Sequence, residues 1–313
     1  MSRSSSSPAP KVYGWCPGAL RPMMSGDGLV VRIRAPLGRL SQEQAKAIAG
    51  LSQQHGNGLI DLSARANLQL RGISDHSHAA VIAGLQDMGL LDRDTATESR
   101  RNILLSPFWQ PGDANHTIAR SLERALKAAE DLLLPGKFGF VVDAGPKPQL
   151  QSCAADIRIE CSADKLLVVA DGAQTGCPVE VETAAEAALD LARWFLDQGG
   201  ASMGRGRMQA LIVRRAAPAS HSSPRSSSAP DPSPGRTAFG PLGALEFGQI
   251  TAEALNKLAD HGPLRLTPWR MILVEAAPEL APLPGVLLDE PDPRLHVRVC
   301  TGSPGCLQAL SAT

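Results

Sequence analysis

The stretch HGNGLIDLSARANLQLRGI, residues 55–73, carries the strongest structural signal in the chain. A turn at 55–58 precedes two runs typical of strands, at 59–63 and 66–72. Successive side chains of a strand point to opposite faces. The polar face would carry Arg65, Asn67, Gln69 and Arg71, and the apolar face Ala66, Leu68 and Leu70. Such a polar face is either the solvated side of an antiparallel sheet or a surface that binds carboxylates and small oxyanions.

A strand upstream divides its residues in the same way. Leu29, Val31 and Ile33 alternate with a second set that includes Arg32 and Arg34. Guanidinium groups bind carboxylates through two parallel hydrogen bonds. If the two strands are neighbours in one sheet, their side chains would form a single arginine-rich surface for anions.

The predicted elements around these strands occur twice along the chain. A capping box at 41–44 opens the first helix, in the order strand, helix, strand, strand, helix. Later in the chain, a strand at 242–247 and a helix capped by Thr251 precede LRLTPWRMILVE (264–275), which parallels IDLSARANLQLR (60–71). The second copy has Trp269, Met271 and Leu273 where the first has polar residues. We therefore expect an internally duplicated α+β protein with a site in one copy.

The region 100–216 between the two copies is predicted to be a unit of its own. Helices are expected at about 116–133 and, from a capping box at 183–186, to about residue 198. Strands are expected at 137–142, 155–160, 165–170 and 208–214. Two Ser- and Pro-rich segments, 2–10 and 218–235, lack large apolar residues and are predicted to be disordered, the second as a linker.

The overall composition excludes several classes of protein. The 313 residues carry 31 basic and 31 acidic side chains, so no global positive field favours nucleic acid or membrane surfaces. Arginine outnumbers lysine by 24 to 7, which fits either carboxylate recognition or a GC-rich genome. No apolar run approaches the roughly 20 residues of a membrane span, and the N-terminus lacks the core of a secretory signal. We expect a cytoplasmic protein.

Two of the six cysteines are close enough to form a metal site. Cys300 and Cys306 flank a short Gly- and Pro-containing loop that could turn both thiolates toward an iron–sulfur cluster. A spacing of five residues is uncommon for structural zinc, and two ligands are half of a set, so the pair is either metal-ligating or incidental and disulfide-capable. The other four cysteines show no ligand spacing, and buried structural thiols are expected there. The sequence assigns no catalytic residue.

Five motifs together resemble the nitrite/sulfite reductase family, and most closely its cobalamin-pathway branch, the precorrin-3B synthases. They are GWCPGALRPMMSGDG (14–28) leading into VVRIR, then HGNGLIDLSARANLQLRGI (55–73), ESRRNILLSP (98–107), LPGKFGFVVD (134–143) and CTGSPGC (300–306). They keep the family's order from residue 14 to residue 306. The long second motif is the most specific, and the others gain weight from their order.

The resemblance implies an α+β fold of duplicated ferredoxin-like half domains around a cofactor-binding unit. Half domains are expected at 14–95 and 236–290, and a tetrapyrrole- and cofactor-binding domain at 96–217. A disordered tail (1–13), the linker (218–235) and the start of a second, truncated cofactor-binding unit (291–313) complete the division. Residues implied to bind the tetrapyrrole are Arg32, Arg34, Arg65, Asn67, Gln69, Arg71, Arg101, Asn102 and Lys137.

The implied activity is that of an oxidoreductase, a monooxygenase acting on precorrin-3A in aerobic cobalamin biosynthesis. The implied cofactors are a 4Fe–4S cluster, with Cys300 and Cys306 as half of its ligands, and an iron centre or siroheme-like tetrapyrrole. The polycarboxylate precorrin is the expected substrate, and an NADH-linked reductase or ferredoxin the electron donor. Arginine forks suit a macrocycle with acetate and propionate arms.

Two departures from the family pattern keep other functions open. Reductases of the family have a second lysine where this chain has Gly139, which disfavours sulfite or nitrite reduction. The family's second cysteine pair would follow Cys306 by some tens of residues, but the sequence stops at Thr313, so we expect a truncated chain without a stable cluster. The alternatives are a siroheme-dependent sulfite or nitrite reductase relative and a non-catalytic tetrapyrrole-binding fragment.

Overall fold

Three β-sheets with helices packed against them make up the described part of the protein. The computed structural model describes residues 16–289 and 292–297, together with residues 299, 302, 303, 305, 306 and 309. Cys300 therefore lies outside the described residues. Two of the sheets belong to the duplicated halves and the third to the region between them, which gives the expected α+β architecture.

The first half has the element order that the sequence predicts. Its elements are β1 (Met23–Ser25), β2 (Gly28–Ile33), β3 (Arg39–Leu40), α1 (Gln42–His55), β4 (Leu59–Leu62), β5 (Leu68–Ile73) and α2 (Asp75–Asp87). The Gln44 amide donates to the Ser41 hydroxyl at 3.1 Å, and the Ser41 amide donates to the Gln44 side chain at 3.0 Å. The predicted capping box is thus confirmed, and it sets the first turn of α1.

The turn between β4 and β5 corrects the predicted strand at 66–72. Ala66 has a φ of 53°, in the left-handed region, and the Ser63 amide donates to the Asn67 carbonyl at 2.9 Å. A left-handed residue reverses the chain, so alternation begins only after it. Arg65 consequently extends from a turn, and the expected single polar face is formed by Gln69 and Arg71 alone.

The region between the halves forms a mixed sheet with helices on it. Its elements are α3 (Thr95–Arg100), β6 (Ile103–Leu105), α4 (Ala114–Ala128), β7 (Phe140–Asp143), β8 (Ile157–Ser162), β9 (Lys165–Ala170), β10 (Thr175–Val179), α5 (Ala184–Asp197) and α6 (Met208–Arg214). β6, β7 and β8 run parallel, and β9 and β10 continue the sheet antiparallel. Buried rings of Phe138, Phe140 and Phe195 join the sheet to α5, with centroids 4.9–5.6 Å apart.

Helix α6 occupies residues that the sequence predicted to be a strand. The run MQALIVR is almost wholly apolar, and periodicity alone does not separate a short buried strand from a helix. The buried Asp156 carboxylate accepts from the Met208 amide at 2.8 Å and thereby supplies a partner to the first turn of the helix. The capping box at Thr183 is also absent, because that hydroxyl donates to the Glu180 carbonyl at 3.3 Å.

Residues 218–235, here called the strap, are ordered along the central sheet, contrary to the predicted disorder. β11 (Ser223–Pro224) pairs antiparallel with β10. Arg225 donates two hydrogen bonds to the buried Glu160 carboxylate, at 2.6 and 3.0 Å. The composition predicts disorder because the segment has little apolar surface to bury. The structure instead holds it by a buried ion pair and by backbone pairing, neither of which requires apolar side chains.

The second half repeats the first from its first strand to its fifth, and a short strand follows where the first half has α2. It contains β12 (Gly235–Thr237), β13 (Gly240–Leu245), β14 (Gln249–Thr251), α7 (Ala252–Asp260), β15 (Leu264–Leu266) and β16 (Met271–Val274), followed by β17 (Val286–Leu287). Thr251 caps α7 by accepting from the Ala254 amide at 3.1 Å, as predicted. Arg270, with a φ of 59°, reverses the chain where Ala66 does in the first half.

The halves exchange one short strand each. β3 of the first half pairs with β15 in the second sheet, and β14 of the second half pairs with β4 in the first. Helices α1 and α7 pack against each other, and one hydrophobic core runs through both halves to Leu104 and Val141 of the central sheet. Among the described residues, no helix combines the length and apolarity needed to span a bilayer.

Candidate functional site

Four of the implied site residues meet where the end of β2, the β4–β5 turn and the start of the central sheet come together. A pocket at this junction is lined by Arg34, Arg65, Asn67 and Arg101. A second, more open pocket of about 350 Å³ lies on the other side of Arg34 and is lined by Cys16, Gly18, Arg21, Thr95, Glu98, Ser99 and Gly136. Arg34 is therefore shared by both pockets.

Arg34 is buried and only partly satisfied. Its Nη1 lies 3.5 Å from a Glu98 oxygen, and its Nε is buried with no hydrogen-bond partner within the described residues. Burial lowers the pKa of Arg34 to about 10, and the charges of Arg32 and Arg101 add to that effect against the attraction of Glu98. An unsatisfied buried donor is costly, so an anion entering beside Arg34 would gain a charge-assisted bond.

Glu98 is held by two elements at once. The Ala19 amide donates to Glu98 Oε1 at 2.6 Å and the Leu20 amide to Oε2 at 3.3 Å. A Cβ atom on Gly18 would lie 2.3 Å from Glu98 Oε2, so only glycine allows this close approach. With its oxygens shared between two amides and Arg34, Glu98 leaves the Arg34 guanidinium incompletely neutralised. Glu98 is the first residue of the motif at 98–107, but the sequence did not indicate a role for it.

Arg65 lies across the start of β7 with neutral acceptors only among its hydrogen bonds. It donates to Asn102 Oδ1 at 2.9 Å, to the Asn102 carbonyl at 3.0 Å and to the Phe140 carbonyl at 3.3 Å, and also bonds the Ala154 carbonyl. Burial lowers the pKa of Arg65 to about 10. The attraction of Asp156 acts to raise this pKa, but the charges of Arg207 and Arg34 oppose that attraction. Its guanidinium is fixed in place while its charge remains without a directly bonded carboxylate.

Gly139 lies directly beneath the Arg65 guanidinium. A Cβ atom at Gly139 would be 2.5 Å from Arg65 Nη2, closer than any Cβ contact allows. The Gly139 amide donates to Asp156 Oδ2 at 3.0 Å, which holds the backbone close to β8. A lysine at this position would therefore require the Arg65 guanidinium to move from its present place.

Two of the implied arginines are already neutralised by carboxylates. Arg71 forms a two-pronged pair with Asp27 at 3.0 and 2.9 Å and lies 3.6 Å from Asp61. Arg101 pairs with Asp92 at 2.8–3.1 Å, approaches Glu123 at 3.4 Å and donates to the Arg34 carbonyl at 3.0 Å. Arg71 and Arg101 therefore hold neighbouring segments of the chain together through these contacts. The sequence had instead implied that they bind the tetrapyrrole.

The remaining implied residues surround Arg34 and Arg65 with different degrees of contact. Arg32 donates twice to Gln69 Oε1, at 3.1 and 2.6 Å, across the pairing of β2 with β5. The Asn102 side-chain amide donates to the Phe138 carbonyl at 2.8 Å, and Asn67 lines the inner pocket. Lys137 is exposed, one residue from Gly136 of the outer pocket.

The site is also supported by a buried residue, Asp156, which the sequence did not single out. Asp156 accepts from Arg207 Nε at 2.9 Å and from the amides of Gly139 and Met208, while burial raises its pKa against those stabilising contacts. Asp156 directly precedes β8, and no local pattern distinguishes it from a residue at an ordinary strand end. Its role depends on segments about 17 and 51–52 residues away.

The cysteine loop contributes one described thiol. Cys306 is half-buried and free, and its amide donates to the Gly302 carbonyl at 2.6 Å. Within the described ranges, no group of three or more His, Cys, Asp or Glu side chains could hold a metal ion. A 4Fe–4S cluster needs four converging ligands, so the described residues alone do not fit one. Arg34, whose Nε has no partner among the described residues, lies beside two pockets and offers a charged donor for an anionic group.

Comparison with known proteins places these features in one family. Residues 21–88 match the model of the nitrite/sulfite reductase ferredoxin-like half domain. A precorrin-3B synthase from Sinorhizobium sp. is 30% identical over 332 residues, covering 96% of this chain and 71% of that protein. A ferredoxin–nitrite reductase from Synechococcus elongatus is 31% identical over 135 residues, covering 40% of this chain and 26% of that protein.

A solved structure agrees with the fold. The NirA protein of Mycobacterium tuberculosis superposes with a TM-score of 0.62 at 15% sequence identity. The match covers 88% of this chain and 60% of the NirA chain. At this level of identity the likeness concerns the architecture, and it supports the arrangement of two ferredoxin-like halves around a central unit.

Proposed function

This chain belongs to the nitrite/sulfite reductase family of oxidoreductases, and we propose that it acts as a precorrin-3B synthase-like enzyme on a polycarboxylate tetrapyrrole. The reaction would be the oxygenation of precorrin-3A in aerobic cobalamin biosynthesis. The tetrapyrrole would lie at the boundary between the half domain at 14–95 and the domain at 96–217. An electron donor, either an NADH-linked reductase or ferredoxin, would be required for turnover.

The unsatisfied Arg34 guanidinium is the observation that carries this proposal. It lies between two pockets, with its Nε buried and without a partner among the described residues. A carboxylate arm of a tetrapyrrole would bond that nitrogen and offset the cost of burying the charge. No comparable vacancy exists at Arg71 or Arg101, whose guanidinium groups already have carboxylate partners.

The other residues take roles that follow from their contacts. Arg65, fixed by carbonyls and still charged, would bind a second carboxylate, with Asn67 and Asn102 shaping the pocket around it. Arg32, held by Gln69, and the exposed Lys137 would contact arms at the rim. Arg71 and Arg101 would position the surrounding segments. Several fixed donors around one macrocycle would set its orientation before reaction.

The proposal includes two cofactors of the family. An iron centre or siroheme-like tetrapyrrole would supply the redox chemistry of the reaction when bound, and the site around Arg34 and Arg65 would hold it or the substrate by its carboxylates. A 4Fe–4S cluster would involve Cys300 and Cys306, but the described residues do not offer a complete ligand set.

A second candidate function is siroheme-dependent reduction of nitrite or sulfite. The match of residues 21–88 to the reductase half domain favours it. The residue at 139 argues against it, because this chain has glycine where the reductases have a second lysine, and the Arg65 guanidinium fills the space above Gly139. A tetrapyrrole-binding protein without turnover is the third possibility, and the experiment below separates the three.

The first test measures binding of uroporphyrin III, a stable octacarboxylate tetrapyrrole, by fluorescence titration. Arg34→Leu should weaken binding about ten- to hundred-fold, the loss of one charge-assisted bond of about 1.5–3 kcal/mol. Arg193→Leu is the matched control, because Arg193 is exposed on α5 and paired only with Asp190 among its described ion pairs. Equal affinities of wild type and Arg34→Leu would refute the assignment of Arg34.

The second test measures turnover of precorrin-3A with dioxygen and a chemical reductant. The expected product contains one added oxygen atom, detected by mass spectrometry with isotopically labelled dioxygen. Reduction of nitrite or sulfite without this product would favour the second candidate. Tight tetrapyrrole binding without any turnover, in a preparation reconstituted with iron and sulfide, would favour the third.

A further inference from the structure

The carbonyl oxygen of Gly305, next to Cys306 in the chain, accepts hydrogen bonds from three donors of the first half. Ser25 Oγ donates at 2.5 Å, Arg71 Nη2 at 2.9 Å and the Gly26 amide at 3.3 Å. The two side-chain contacts join residues 280 and 234 positions apart. We propose that Ser25, Gly26 and Arg71 form a seat that holds the chain at Gly305 and thereby positions the adjacent Cys306 thiol.

The seat is rigid because its arginine is fixed independently of the loop. Arg71 is buried, and Asp27 accepts from its Nε and Nη2 while Asp61 lies 3.6 Å from Nη1. Asp27 is itself bonded by the Asn57 side chain at 3.2 Å. The two carboxylates neutralise the guanidinium, so its contact with Gly305 contributes a directed hydrogen bond to a neutral carbonyl.

The loop is also closed locally, so holding Gly305 fixes its neighbour. The Cys306 amide donates to the Gly302 carbonyl at 2.6 Å, and Gly302 has a φ of 72°, the left-handed conformation that glycine adopts without strain. One backbone carbonyl anchored by three donors and one turn closed beside it leave the Cα of Cys306 little freedom. Arg71 is thus a positioning residue, acting on the thiol through the backbone of the loop.

The second half shows that this use of Arg71 is specific to the first. Glu275 occupies the place of Arg71 in the repeat, and its carboxylate accepts from Arg39 at 2.7–2.8 Å and from Arg265 at 2.5 Å. Both partners of Glu275 lie on strands of its own sheet. Among the described residues, this position contacts Gly305 in the first copy and strands of its own sheet in the second. If Cys306 binds metal, as the proposed function includes, the seat would hold a ligand; the seat itself does not depend on that function.

The test measures alkylation of each cysteine in the full chain under anaerobic, fully reduced conditions. Iodoacetamide labelling followed by peptide mass spectrometry gives separate rates for Cys306 and for Cys161 and Cys177 as internal controls. Ser25→Ala should raise the Cys306 rate about five-fold, the effect of losing one hydrogen bond, and Arg71→Leu should raise it further. The rates of Cys161 and Cys177 should stay unchanged.

A matched variant and a second readout keep the outcome decisive. Arg93→Leu removes an exposed, paired arginine elsewhere and should leave the Cys306 rate unchanged. If Arg71→Leu raises all rates together, it has unfolded the chain, and Ser25→Ala then decides. An unchanged Cys306 rate in a folded Ser25→Ala variant would overturn the proposal. Since no cofactor or turnover enters the measurement, failure of the proposed function would leave this result unaffected.

Discussion

The two halves of the molecule share the order of their five strands and central helix but differ in side-chain chemistry. Ala66 and Arg270 reverse the chain at equivalent turns with φ of 53° and 59°. Beside them, Arg65 of the first half corresponds to Trp269 of the second. The cross-strand pair of Asp61 with Arg71 corresponds to Arg265 with Glu275, in which the charges are inverted.

The duplication therefore preserved the backbone framework of the half domain but not the arrangement of charged side chains around its turn. In the first half, charged groups around the turn open onto pockets at the central sheet. In the second half the turn carries a tryptophan that stacks on Phe108 at 6.3 Å. The exchanged strands then bind the two unequal halves into one core. Three experiments probe how far the halves are equivalent.

The largest expected effect comes from breaking the exchange of strands. Leu40 on β3 and Ile250 on β14 are 0% and 2% exposed in the sheet of the opposite half. Leu40→Ala and Ile250→Ala should each lower the free energy of unfolding by about 2–5 kcal/mol. Urea denaturation should show one transition that shifts as a whole in both variants, because each half completes the other. Two separate transitions would show that the halves unfold independently. Leu133→Ala is the control, since Leu133 is 78% exposed.

A smaller effect is expected from giving the site the residue of the reductases. Gly139→Lys would place a Cβ 2.5 Å from Arg65 Nη2. It should lower the free energy of unfolding by about 1–3 kcal/mol and should also weaken tetrapyrrole binding. Gly145→Lys is the matched control, since the nearest atom to its Cβ would be 3.9 Å away.

Adding Arg65→Ala to Gly139→Lys should recover most of the lost stability, because the clash is between these two residues. A double-mutant cycle measured by urea denaturation gives their coupling. Strictly additive losses would mean that Arg65 does not occupy the space above Gly139. Either result sharpens the contrast with the second half, where a tryptophan holds the equivalent position.

The smallest expected effect is a pH dependence confined to the second half. Burial alone would raise the pKa of Glu275, but hydrogen bonds from Arg39 and Arg265 outweigh it and lower that pKa below its usual value. A carboxylate with a depressed pKa contributes stability that is present above about pH 4.3, its ordinary value, and lost as pH falls through the folded value.

Glu275→Gln should therefore cost about 1 kcal/mol at neutral pH, and the difference from wild type should vanish toward about pH 3. Urea denaturation of both proteins across this pH range provides the measurement. A difference that persists unchanged at the acid end would show that the carboxylate charge of Glu275 contributes nothing. Glu253→Gln, at an exposed helix pair with Lys257, is the control for general acid effects.

Local chemistry along the chain determined the elements and the family of this protein. Ser41 caps α1 and Thr251 caps α7 through amides only three residues away. The parallel between 60–71 and 264–275 can be read directly from the residues. Such short-range partners can be predicted from the sequence, although at Thr183 the hydroxyl bonds the Glu180 carbonyl instead of capping its helix. The same holds for the family motifs, whose order is written in the chain.

Only the tertiary structure decided which charges are free and where short segments pair. Strands β3 and β14 are too short for a periodic pattern, and the strap is ordered by Glu160, 65 residues from Arg225. The carboxylate partners of Arg71 are likewise set by distant segments, and so is the lack of a partner for Arg34 Nε within the described part of the chain. Side-chain type states what a group can bind, but burial and long-range packing determine which groups are already bound.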